Sequence, residues 1–503
     1  MSHPKTFCII GVALAAIAIS LTSIKPIAAD EPAKKTGENK PAANKPVSTV
    51  DDKPEVVQFT LHPASVPYAP LKYQFLPRYF DQVPGNAAPL YMRAAIAWLD
   101  DKDYQRVADK IADWNELPLD QFRDNKELQD YFNSTPTGHW DLIRMAAHRE
   151  TCDWALPLRE TNIATMMPEL QQVRSLARLI AFKARMEISR GEIDKAIETL
   201  QTGFTIGRHA AQGQTLVNAL VGVSICMQML HQVESLVQQP HCPNLYWTLT
   251  SLPRPMIDMH TALGAEQDFV YLYMPELKDI RTATHTPAEW DLMLLAVTKK
   301  FMAAVSDISS PPKSDWENFG VGAYYAVTAY PKALVQLKAA GYSQSEIKEM
   351  PMSQAVLLAT VETYDHLRDE LNKWLYLPLG ETLLGIEQFQ NEMAHTDECI
   401  PLARALLPSL QNVKAAEARL ARQVEAVRVL EALRLYAADH NGELPKSLSD
   451  IKAVPIPSDD VTGKPFEYEL HHGYATLTSP APFNVPGDHT LHWEIKMEPV
   501  KKK

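Results

Sequence analysis

Apolar positions recur every three or four residues from Leu90 to about Leu410. That spacing puts them on one face of successive helices and predicts a helical body over residues 89–408. Within it, Ala181, Ala184 and Ile188 share a face, Arg190-Gly191-Glu192 makes a turn, and Ala196, Ile197, Leu200 and Phe204 follow on a second helix. Small residues at Ala184 and Ala196 let two helices approach closely, so the segment reads as an α-hairpin that is weakly tetratricopeptide-like. No repeat of about 34 residues runs through the chain. Thr286-Pro287-Ala288-Glu289 and Ser343-Gln344-Ser345-Glu346 are capping boxes, each joining a helix-starting hydroxyl to a glutamate three residues on. Pro378 and Pro408 are expected to stop or kink helices.

The longest continuous pattern covers residues 409–439. Leu410, Val413, Ala416, Leu420, Val424, Val427 and Leu430 form an apolar stripe, and Arg and Glu occupy the other faces. This predicts one long amphipathic helix. Asn441-Gly442 ends it in a turn. Phe466–Leu470, Tyr474–Thr478 and Leu491–Met497 then alternate in the period of two that marks strands, the first two separated by His471-His472-Gly473. Residues 409–503 thus read as a long helix plus a small β module with a short antiparallel sheet. The fold class expected is mainly α, an irregular multi-helix body with a small α+β module at its end.

The opening of the chain has a different texture. Phe7–Ile24 is apolar, and Ile27-Ala28-Ala29 precedes acidic Asp30-Glu31, so residues 1–29 read as a secretory signal peptide. An uncleaved run would instead serve as a membrane anchor through residues 7–24. Residues 30–57 are rich in Pro, Lys, Ala and acids and read as a disordered linker. Residues 58–88 interleave Pro63, Pro67, Pro70, Pro77 and Pro84 with Tyr68, Tyr73, Phe75, Tyr79 and Phe80. This is an extended proline and aromatic arm, packed across the helical body or able to hold peptides or sugars.

Composition narrows the functional classes. The net charge of −12 becomes two units more negative if Lys5 and Lys25 leave with the signal, which disfavours nucleic acid as a partner. Proline, at 37 residues, outnumbers glycine, at 19, and no Walker loop, G-x-G-x-x-G, G-x-S-x-G or H-E-x-x-H occurs. Cys152, Cys226, Cys242 and Cys399 have no CxxC spacing and could be bridged or free.

Two polar clusters could carry chemistry. His148, Glu150 and Asp153, around Cys152, could supply an acid–base pair or metal ligands. The same residues also fit a helix end and a turn. His395, Asp397, Glu398 and Cys399 combine hard and soft metal ligands just before Pro401, where an acid also favours a helix N-terminus. No cofactor is implied.

The series Tyr436, Asp439, Asn441, Gly442, Pro445, Ser447, Leu448, Gly463, Pro465, Phe466 and Tyr468 resembles the periplasmic module of type II secretion pseudopilins. The resemblance covers about 409–480 and implies a helix leading through a turn into a small sheet. Pseudopilins carry their membrane helix directly ahead of this module. Here the whole helical body intervenes, the N-terminal run lacks the Gly-aromatic-x-x-x-Glu processing pattern, and no late acidic calcium loop follows. Pilus assembly is therefore not implied. The arrangement as a whole is similar to large secreted proteins of planctomycete bacteria, which implies a setting and no activity. The expectation is an exported, periplasmic or envelope-associated protein acting as a non-catalytic interaction scaffold with protein partners in the envelope. The alternative is an exported hydrolase or other enzyme working near His148–Asp153.

Overall fold

The computed structural model describes residues 56–158, 167–305, 315–377, 379–480 and 490–499. The signal segment, nearly all of the linker, Pro378, Arg159-Glu160 and the terminal lysines lie outside the described residues. The protein is mainly α, 63% helical, with a small C-terminal sheet.

Local signals are realised where local geometry decides them. Helices Pro168–Ser189 and Ile193–Ala211 form the expected hairpin, with Gly191 at φ +73° in the turn and both Ala184 and Ala196 fully buried. Both capping boxes are present: Glu346 N–H donates to Ser343 Oγ, and Thr286 N–H donates to Glu289 Oε2 at 2.7 Å. Helix Leu216–Val237 packs on the hairpin through glycines. A Cβ on Gly222 would lie 2.6 Å from the Gly207 carbonyl oxygen, so only a residue without a side chain permits this approach. This is the one described helix long and apolar enough to cross a membrane, and 72% of its apolar window is buried inside the fold.

The helix expected at 409–439 spans Leu402–Asp439, and Pro408 lies inside it rather than ending it. A proline here removes one backbone donor from a run of 38 residues, and the rest of the run carries the helix on. The other correction concerns its faces. Arg and Glu do not form a solvated side. Lys414, Glu417, Arg422, Glu425, Arg428, Glu431 and Arg434 are all buried, as is the apolar stripe. Helices Leu216–Val237, Tyr246–Thr250, Met352–Leu375 and Leu379–His395 surround the helix and make it the spine of the molecule. Lys414–Glu417, Glu425–Arg428 and Glu431–Arg434 pair along it at three-residue spacing, which supplies the buried charges with partners.

The spine ends at Asn441 (φ +53°) and Gly442 (φ +86°), whose N–H donates back to the Ala437 carbonyl at 2.8 Å. This is the left-handed helix stop that glycine allows. Strands follow the arm and the module in chain order: β1 Val57–Leu61, β2 Val83–Asn86, β3 Arg149–Thr151, β4 Ser458–Asp459, β5 Lys464–Pro465, β6 Glu467–Leu470, β7 Ala475–Ser479 and β8 Leu491–Met497. β6, β7 and β8 pair antiparallel, as expected, but the main sheet has the order β1-β8-β7-β6 with β1 parallel to β8. The beginning of the arm is therefore an edge strand of the C-terminal sheet. Alternation explains the fit. Phe59 and Leu61 join Leu477, Trp493 and Ile495 on one buried face, and the Phe59 and Trp493 rings lie 4.7 Å apart. All four described cysteines are buried free thiols.

Candidate functional site

The arm places its aromatic rings in two opposite ways. Phe75 is fully buried, with its ring 5.2 Å from Phe204. Tyr68 and Phe80 are essentially fully exposed, at 106% and 94%, and Tyr79 is 76% exposed. Leu71 and Val83 are also exposed. The prolines leave the arm short of backbone donors and hold it extended, so side chains of the body bind its carbonyls instead. Gln201 Nε2 donates to Gln74 O at 3.0 Å and Leu76 O at 3.1 Å, and Thr248 Oγ1 donates to Tyr73 O at 3.1 Å. Tyr73 Oη donates to Asp194 at 2.8 Å. The exposed rings thus stand on a backbone pinned to the body. Scattered single apolar residues on a surface need no explanation, whereas a run of large rings on an ordered segment does.

The polar cluster at His148–Asp153 turns out to hold this arm. β2 and β3 pair in parallel, and Val83 N–H donates to His148 O at 2.7 Å. His148 Nδ1 lies 2.8 Å from Arg144 O within its own helix end. Asp153 accepts from Ala155 N–H at 2.8 Å, holding a residue at φ +48°. Its backbone exchanges hydrogen bonds with the side chain of Asn86. Glu150 lines one cavity and Asp153 a different one, and His148 lines neither. Neither of these two cavities is lined by all three residues.

The cavity that Glu150 lines, about 430 Å³, opens beside Tyr79. Arg78 comes to it from the arm, Arg149 from β3 and Arg208 from the last turn of helix Ile193–Ala211, and among the described residues Glu150 is its one carboxylate. Arg78 donates to Leu71 O at 3.1 Å and Arg149 to Pro84 O at 2.7 Å. His209 lines the cleft too. Burial, reinforced by the Arg208 charge, pushes its pKa down to about 4. Its Nδ1 lies 2.9 Å from Tyr91 Oη, and burial holds that phenol protonated. Nothing in the sequence joined residues 78, 149 and 208, because they sit on three separate elements.

A second cavity of about 430 Å³ runs along the spine, walled by Leu252, Met256, Tyr376 and Leu377. Glu417, Glu425 and Asp460 reach it with Lys414, Arg254 and His260. Burial raises all three carboxyl pKa values, against the pull of Lys414 on Glu417, of Arg428 and Arg254 on Glu425, and of Arg254 on Asp460.

The second sequence cluster is structural in its contacts. His395 Nδ1 lies 2.7 Å from Asn391 O, and Asp397 pairs with Lys332 at 3.2 Å. Glu398 accepts from the N–H groups of Ala403 and Arg404, at 2.7 and 3.2 Å, and so caps the spine helix. Cys399 Sγ lies 3.1 Å from Gln336 Oε1, and burial pushes its thiol pKa up to about 12. Among the described residues no group of three or more His, Cys, Asp and Glu could hold a metal ion. No family model, curated protein or solved structure matches this chain.

Proposed function

We propose that this is an exported, envelope-associated protein acting as a non-catalytic interaction scaffold, with the proline and aromatic arm as its docking face for a protein partner. The observation that carries this reading is the exposure of Tyr68, Tyr79 and Phe80 on an arm whose carbonyls are held by Gln201 and Thr248 and whose Tyr73 hydroxyl is held by Asp194. Large aromatic rings presented rigidly lose little freedom on binding and are the residues that dominate protein interfaces. Export rests on the signal-like residues 1–29, and membrane contact is assigned only to residues 7–24 in an uncleaved form. The acidic balance argues against nucleic acid. The C-terminal module is read as pseudopilin-like in fold and not in assembly, on the order of helix, Asn-Gly turn and strands.

The test is a Tyr68→Ser/Tyr79→Ser/Phe80→Ser variant of the full chain. It should lose co-purifying partners from envelope fractions while its thermal unfolding stays unchanged. A variant that keeps every partner sinks the proposal.

The enzyme reading has its own support in the spine cavity, where carboxyls of raised pKa stand beside His260 between apolar walls. Loss of a measurable hydrolytic activity in Glu417→Gln or Asp460→Asn, with folding intact, would favour it over the scaffold.

A further inference from the structure

The cleft beside Tyr79 has a charge that the rest of the protein does not. The chain carries −12, yet Arg78, Arg149 and Arg208 converge on one cavity of about 430 Å³ and face a single carboxylate, Glu150. None of the three arginines takes part in an ion pair among the described residues. Arg78 and Arg149 each spend a donor on a backbone carbonyl, and Arg208 has no hydrogen-bond acceptor at all among them. A guanidinium offers five N–H donors in a planar fork, so most of this donor capacity points to water. The last turn of a helix favours a cation, which accounts for the charge of Arg208 but leaves its fork unused.

We propose that this cleft receives the carboxylates of an acidic peptide segment, whose neighbouring apolar side chain rests on Tyr79 and Phe80. The inference rests on the scaffold reading and names the chemistry of the partner. Charge complementarity favours carboxylates on a short segment over a long polyanion. Three arginines match two or three anionic groups, and the chain's net charge of −12 disfavours an extended chain of phosphates or sulfates. The exposed rings beside the cleft supply the apolar contact that a free inorganic anion would not use.

The probe is a fluorescein-labelled peptide of alternating glutamate and leucine, titrated with the full chain and followed by anisotropy. A glutamine–leucine peptide, inorganic phosphate and a sulfated glycan serve as competitors. The expected result is saturable binding to the glutamate peptide, weaker at higher salt, with the glutamine peptide at least about tenfold weaker. Arg208→Gln and Arg78→Gln should each weaken binding about tenfold without shifting thermal unfolding. Equal binding of the two peptides, unchanged binding by both single arginine variants, or preference for phosphate or the glycan overturns the assignment. If the arginine variants still co-purify with envelope partners and the aromatic variant does not, the cleft proposal fails while the docking face stands.

Discussion

Glu431 and Arg434 lie one turn apart on the spine helix, both wholly buried, with Arg434 Nη1 donating to Glu431 Oε1 at 2.7 Å. The pair also reaches outward. Arg434 donates to the carbonyls of His62 at 2.9 Å and Cys242 at 2.7 Å, and Glu431 accepts from Leu245 N–H at 2.9 Å. Asn244 adds a bond to the Glu431 carbonyl at 2.8 Å. Two side chains thus join the end of β1, the turn after helix Leu216–Val237 and the spine.

Breaking this pair from one side should be costly. Arg434→Met leaves a buried carboxylate without its counter-charge and two carbonyls without a donor, so a loss of about 3–5 kcal/mol is expected. Adding Glu431→Leu removes the bare charge but still orphans the Leu245 N–H and the His62 and Cys242 carbonyls. The double variant should therefore remain clearly less stable than wild type in chemical denaturation. Recovery of wild-type stability would show that the pair is replaceable.

Close packing of helix Leu216–Val237 on its neighbour depends on a missing side chain. Gly222→Ala places a methyl 2.6 Å from the Gly207 carbonyl oxygen and 2.7 Å from Ala211 Cβ, both on fixed structure. Strain of about 1–3 kcal/mol should lower the unfolding midpoint. At Gly264 nothing lies within 4 Å, and Gly264→Ala should be neutral or mildly stabilising because the site is helical.

Glu266 provides a pH test. Burial raises its pKa from 4.5 to about 7. The unfolded chain releases this proton near pH 4.5 and the folded one holds it until about 7, so folding loses stability as pH rises through that window. Glu266→Gln removes the penalty. Its stability should match wild type at pH 4, exceed it increasingly to pH 7, and then hold a gain of about 3 kcal/mol. A constant offset at all pH values would assign the effect to packing.

The sequence made local features legible and long-range ones not. The hairpin around Arg190-Gly191-Glu192, the capping box at Ser343 and the stop at Asn441-Gly442 depend on residues within a few positions of one another. The burial of Glu431 and Arg434 could not be read in the same way, because charged residues three apart look the same on a solvated face as on a surrounded one. β1 was hidden for a related reason: its partner β8 lies at the other end of the chain, and a parallel pairing leaves no hairpin signal. His148, Glu150 and Asp153 looked chemical because polar groups cluster there. The backbone of His148 and Asp153 binds β2 there, at Val83 and Asn86. The arginine cleft drew on the arm, a strand and a helix end, and no single stretch contained it.

The most direct measurement of the proposed docking face is photo-crosslinking in intact cells producing the protein, with a photoreactive amino acid at position 80 of the full chain and a control at Leu384, 70% exposed. Position 80 should yield a discrete protein adduct that position 384 does not. Absence of an adduct at position 80, or the same adducts from both positions, would contradict the arm as an interaction site.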